Sequence, residues 1–162
     1  MHRSKGPVVA LVGVLAFLVV AVGCGQDVDS EVVADLERSG LALHLPEIRG
    51  EVPVAVKLVE GSEVVLSYDD DGYVYTVSEQ RAPDGALCRG IAYEEGSDCS
   101  ESAGVMRADF EEMSVVAVSR GDTVLVARGL VTEADATLVD DVVAALTDAP
   151  EVSARDLVEA VS

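Results

Sequence analysis

The stretch Ser114-Val115-Val116-Ala117-Val118-Ser119-Arg120-Gly121-Asp122-Thr123-Val124-Leu125-Val126-Ala127-Arg128-Gly129-Leu130 decides the fold. Two runs rich in β-branched residues, Ser114–Arg120 and Thr123–Leu130, flank Gly121-Asp122, and a two-residue turn of that kind joins antiparallel strands. Alternation sends Val116, Val118, Leu125 and Ala127 one way, and Val115, Ala117, Val124 and Val126 the other. An antiparallel hairpin ordinarily leaves one face to water, so two apolar faces require two covers. The C-terminal helices are expected to supply one cover and the first helix the other. Left bare, the second Val/Ala face would be a docking surface.

Downstream, Leu138, Val139, Val142, Val143 and Leu146 recur at helical spacing behind a capping-box-like Thr132 and Asp135. Ala149-Pro150 stops that helix, and Ser153 caps a short last one carrying Leu157, Val158 and Val161. Upstream, Ser30 is placed to cap a helix through Ser39, which Gly40 ends. Strands are expected at Val52–Val59 and Glu63–Tyr68 around Glu60-Gly61-Ser62, at Tyr73–Val77 after the aspartates, and at Leu87–Tyr93. The expected architecture is α+β: an N-terminal helix, an antiparallel meandering sheet of five to seven strands, and two C-terminal helices packed on it.

The chain has 162 residues with 11 Lys+Arg against 30 Asp+Glu, a formal net charge of −19. Residues 24–162 hold nine of the bases and all of the acids, and Lys57 is their only lysine. Such a charge excludes phosphate-neutralising nucleic-acid binding and a polybasic membrane patch. With no Trp and few other aromatics, the core must come mostly from Val, Leu and Ala.

Before residue 24 the chain changes character. A basic start (Arg3, Lys5) precedes the apolar run Val8–Val22 and Ala21-Val22-Gly23-Cys24. This tetrapeptide resembles the lipobox of bacterial lipoproteins, departing from the commonest pattern at Ala21, where leucine is usual. The resemblance implies a signal peptide over 1–23 and a diacylglyceryl thioether on Cys24; length and composition add a short lipidated tether over 24–29 and a single acidic domain over 30–162. It further implies a chain held at the extracytoplasmic face of the cell membrane, with the membrane as partner through the lipid on Cys24. The rival reading is a retained membrane helix, since 21 uncharged residues separate Lys5 from Asp27.

In an exported chain the remaining pair, Cys88 and Cys99, is expected to form one disulfide. Closing a loop of that size stabilises by about 3 kcal/mol on the chain-entropy model. Two cysteines fall short of a structural zinc site, and CxxC spacing is absent.

Little else carries chemistry. After the signal segment His44 is the only imidazole, no Gly-x-Ser-x-Gly elbow or Ser-x-x-Lys occurs, and no glycine-rich phosphate loop appears. Asp69-Asp70-Asp71-Gly72 fails as an EF-hand loop: with Gly72 at position six, Ser67 and Ser78 fall at one and twelve. It reads as a hairpin turn. Either register of that hairpin gathers Tyr68, Tyr73 and Tyr75 on one face with Val64, Leu66 and Val77. That face is either core or a ligand or partner surface. The expected function is therefore non-enzymatic: an accessory, sensor or protein-interaction module, with neither cofactor nor metal and an unidentified protein partner. The alternatives are a lipoprotein binding a small apolar ligand or lipid and, behind it, a hydrolase using His44.

Overall fold

The computed structural model describes residues 29–70, 72–91, 98–110, 113–131 and 137–161. The expected architecture is found: a helix, a seven-stranded antiparallel sheet, and C-terminal helices packed on it. In chain order the elements are α1 (Ser30–Ser39), β1 (Leu43–His44), β2 (Ala55–Val59), β3 (Glu63–Asp70), β4 (Tyr73–Arg81) and α2 (Leu87–Gly90). There follow β5 (Asp98–Ser102), β6 (Val105–Phe110), β7 (Met113–Arg120), β8 (Thr123–Val131), α3 (Leu138–Asp148), β9 (Glu151–Val152) and α4 (Ala154–Ala160). The sheet runs β2-β3-β4-β8-β7-β6-β5, two meanders joined where β4 lies antiparallel to β8. A separate two-stranded ladder pairs β1 with β9.

The β7–β8 hairpin turns at Gly121-Asp122 as its sequence dictates, and both of its faces are buried. On the first face, Val116, Val118, Leu125 and Ala127 meet Leu138, Val142 and Leu146 of α3 in the main core, which also takes in Val33 and Leu36 of α1 and Leu157 of α4. A fully buried leucine contributes about 2 kcal/mol by area alone, so this one layer supplies much of the stability. Val124, Val126 and Ala117, on the second face, belong to a smaller cluster with Met106, Ala108, Leu87 and Ile91.

The cover of that second face differs from the expectation. Helix α1 packs on α4 and β2, joining the other helices on the main-core side. The second cover comes from the connection between β4 and β5, whose Leu87 and Ile91 belong to the second-face cluster. The sequence predicts a strand over Leu87–Tyr93, but Leu87–Gly90 is a helical turn, and residues 92–93 lie outside the described residues. Leu87 and Ile91 are four apart, one helical turn, which drops both onto Met106 and Ala108. Smaller departures have local causes. Asp29, one residue ahead of Ser30, caps α1 by accepting from Glu31 and Val32 N–H. Pro53, which lacks an N–H, precedes the later start of β2 at Ala55. The expected Thr132 and Asp135 pair lies outside the described residues, whereas Ser153 caps α4 through Asp156 N–H as expected.

Candidate functional site

The polar centre of the molecule sits inside the core. Period-two alternation along β4 places Tyr75, Val77 and Glu79 on the helix-covered face, and Glu79 is 0% exposed. The β1–β9 ladder lays His44 against it, also buried. His44 N–H donates to Glu79 Oε1 at 2.8 Å. His44 Nδ1 and Glu79 Oε2 stand 3.9 Å apart, too far for a hydrogen bond, and among the described residues neither atom has another partner. Burial pushes the Glu79 carboxyl above the usual range, and the neighbouring His44, through its imidazole and its backbone N–H, pulls it partly back.

Tyr68 and Tyr75 are opposite one another in the β3–β4 register. Both are buried, with rings stacked at 5.2 Å between centroids and 4° between planes. Tyr68 Oη donates to the Pro46 carbonyl at 2.8 Å, and burial, with Tyr75 and Glu79 nearby, raises its phenol well above the ordinary value. Tyr73, two residues earlier, is 55% exposed. The three tyrosines thus share a strand face without sharing a surface: two are core and one lies beyond its edge.

Cys88 and Cys99 are bonded, with their Cα atoms 6.0 Å apart. The bond ties α2 to β5, and Cys88 N–H donates to Glu101 Oε2 at 3.3 Å. Gly90 sits where a Cβ would come within 2.3 Å of Pro83, so the crossing segment folds back tightly on itself. Cys24 lies outside the described residues. No described helix is long and apolar enough to cross a membrane.

Gly72 adopts a φ of +90° and donates its N–H to Asp69 Oδ1 at 3.0 Å, the geometry of a turn. Among the described residues no group of three or more His, Cys, Asp or Glu is arranged to hold a metal. An open cleft of about 360 Å³ is lined by Glu47, Arg49, Asp141, Ala144, Ala145 and Asp148. Arg49 there donates to Asp141 and Thr137, both at 2.8 Å.

Comparison of the chain with protein-family models, curated proteins and solved structures finds no match.

Sequence reasoning passed over Glu79, although its signal was present. Tyr73, Tyr75, Val77 and Glu79 have one parity, so a strand continued beyond Val77 would have put Glu79 on the core face. Nor did it find β6, whose Met106, Ala108 and Phe110 alternate with polar residues, which a strand on a sheet covered from both sides still shows.

Proposed function

We propose that this chain is a lipid-anchored lipoprotein at the extracytoplasmic face of the cell membrane, acting as a non-enzymatic accessory, sensor or protein-interaction module. The support for interaction is the distribution of exposed apolar side chains. Among the described residues Tyr73, Val74 and Met113 are the large ones left open on the sheet strands, and all three stand at one end of the sheet. Scattered exposed apolar residues need no explanation, but a group assembled from strands distant in sequence does. The buried Tyr68 and Tyr75 lend nothing to a ligand groove behind the tyrosines. Support for the anchor is the lipobox-like Ala21-Val22-Gly23-Cys24.

Two measurements test the reading. Mass spectrometry of the mature N-terminus should find Cys24 carrying diacylglycerol, and an uncleaved Met1 would refute the anchor. Cross-linked co-purification from native membranes should yield one discrete protein partner with the wild type and lose it in Cys24→Ser. Recovery of no specific partner with the wild type would refute the interaction role.

A further inference from the structure

Glu79 is fixed where it stands. Its strand, β4, is paired with β3 on one side and β8 on the other, and the residues opposite it are the fully buried Val64 and Leu125. His44 is held far more lightly. Strand β1 is two residues long and pairs with β9, which is no longer. Hydrogen bonds from side chains tie this part of the chain to the sheet: His44 N–H donates to Glu79 Oε1, and Tyr68 Oη donates to the Pro46 carbonyl, each at 2.8 Å. So short a ladder has little stability of its own, and of the two sides of this junction it is the one that yields.

Across the junction His44 Nδ1 faces Glu79 Oε2 at 3.9 Å, and among the described residues neither atom has a hydrogen bond. The two side chains are 5% and 0% exposed. An imidazole and a carboxyl in one buried site titrate as a unit, and their joint proton number sets the charge left in the core. With one shared proton the pair is neutral overall, as imidazole with carboxylic acid or as imidazolium with carboxylate. Loss of that proton to water leaves a lone carboxylate. Gain of a second leaves a lone imidazolium beside a neutral acid. Either charge is costly where it is buried and is relieved once water reaches it.

The surroundings supply no counter-charge. From β3 comes the Tyr68 phenol, with Tyr75 of β4 stacked on it, and burial keeps Tyr68 neutral. Arg81, two residues beyond Glu79, is exposed and lies against Gly40 at the end of α1. Glu151 of β9 stands opposite His44 and is exposed. Helix α4 packs on β1; it buries Ala154, Leu157 and Val158 and leaves Arg155, Asp156 and Glu159 in solvent. The buried residues of α1 and α3 are aliphatic.

The geometry points to His44 and Glu79 as a latch operated by proton number, which holds the β1–β9 ladder on the sheet while the pair shares one proton and releases it when that proton is lost or a second is gained. Lifting β1 frees the segment that joins α1 to the sheet. The latch belongs to the folded domain and needs neither lipid nor partner, so it stands apart from the function proposed above. On the alkaline side the sign follows from burial, which raises the Glu79 carboxyl: the closed form keeps a proton that the open form releases, and opening grows as pH rises. On the acid side the open form takes up a second proton that the closed pair would have to hold as a lone charge, and opening grows as pH falls.

Amide hydrogen exchange of the full chain in zwitterionic nanodiscs, followed by NMR from about pH 4 to about pH 9, tests the latch. The amide of His44 is the reporter, because its bond to Glu79 is the one that release breaks. Corrected for the intrinsic pH dependence of exchange, its opening should be least at an intermediate pH. On either side opening should grow by up to about tenfold per pH unit, the slope for one proton, and then level off. Val116 and Val126 of the β7–β8 hairpin should not follow. Glu79→Gln should abolish the alkaline limb and keep the acid one, and His44→Asn should do the reverse at the amide of residue 44. Circular dichroism establishes that each variant is folded. If His44→Asn does not fold, the wild type decides: the ring-nitrogen signals of His44 must move through the acid limb, and the carboxyl-carbon signal of Glu79 through the alkaline one. Opening that is flat with pH, that rises in step at Val116 and Val126, or that keeps both limbs in a folded variant overturns the latch, as do ring and carboxyl signals that stay still through their limbs.

Discussion

Replacing Glu79 by glutamine should make the protein's stability less dependent on pH, in a direction that burial fixes. The folded state holds the Glu79 carboxyl at 0% exposure with one of its oxygens unpartnered, and so binds its proton more firmly than the unfolded chain does. In the unfolded chain the group titrates near the ordinary glutamate value of about 4.3. Below that pH both states are protonated, and Glu79 contributes its full share of stability. Above it the unfolded state releases a proton that the folded state retains, so stability is lost as pH rises towards and through the raised folded value. The loss is at most about 1.4 kcal/mol per pH unit for one proton, and it levels off once the folded group has ionised too.

Glu79→Gln removes that proton while keeping a side-chain oxygen to accept from His44 N–H, the 2.8 Å bond that ties β1 to the sheet. Wild type and variant should therefore agree within about 1 kcal/mol in acid, since a neutral carboxyl and an amide make the same bond. With rising pH the variant should gain steadily on the wild type. The remaining carboxylates are common to both proteins and cancel in the difference. Urea unfolding followed by circular dichroism at a series of pH values, with the disulfide intact, measures it directly. A difference that stays flat with pH, or in which the wild type gains, would falsify the assignment of Glu79 as a buried carboxyl held largely by its proton.

Replacing Cys88 and Cys99 together by serine should cost about 3 kcal/mol in denaturant and speed hydrogen exchange at Leu87 and Ile91 before the β7–β8 hairpin, because a four-residue helix cannot hold itself. Tyr68→Phe keeps the stacked ring and loses only the bond to Pro46, a cost of about 1 kcal/mol that a thermal melt will detect. Arg120 donates to the carbonyls of Leu146, Thr147 and Ala149 at the end of α3, which has no basic residue of its own there, so Arg120→Ala should cost about 1–2 kcal/mol in urea. Lys57 is the central residue of edge strand β2, where centred self-pairing would oppose it to its own copy; Lys57→Val should raise self-association, read by sedimentation velocity.

What was legible in the sequence was whatever local chemistry decides. Gly121-Asp122 between two apolar runs fixes a hairpin without help from the rest of the chain, and Pro150 followed by Ser153 divides α3 from α4. The need for two covers was also readable, because two apolar faces on one hairpin leave no other solution. Which segment supplies the second cover was not. That depends on β8 lying between β4 and β7, which forces the β4-to-β5 connection across the sheet, and the sheet order is a choice among pairings that no single strand encodes. Leu87–Gly90 reads as a strand because its neighbours are apolar, yet it is too short for helix propensity to show. The turn forms there because a disulfide and two side chains hold it against β5 and β6.

The same distinction separates the two polar features. Glu79 was within reach, since parity along one strand suffices to bury it. Its partner was not, because the backbone N–H of His44 arrives through the pairing of two-residue strands that lie more than 100 residues apart in the chain.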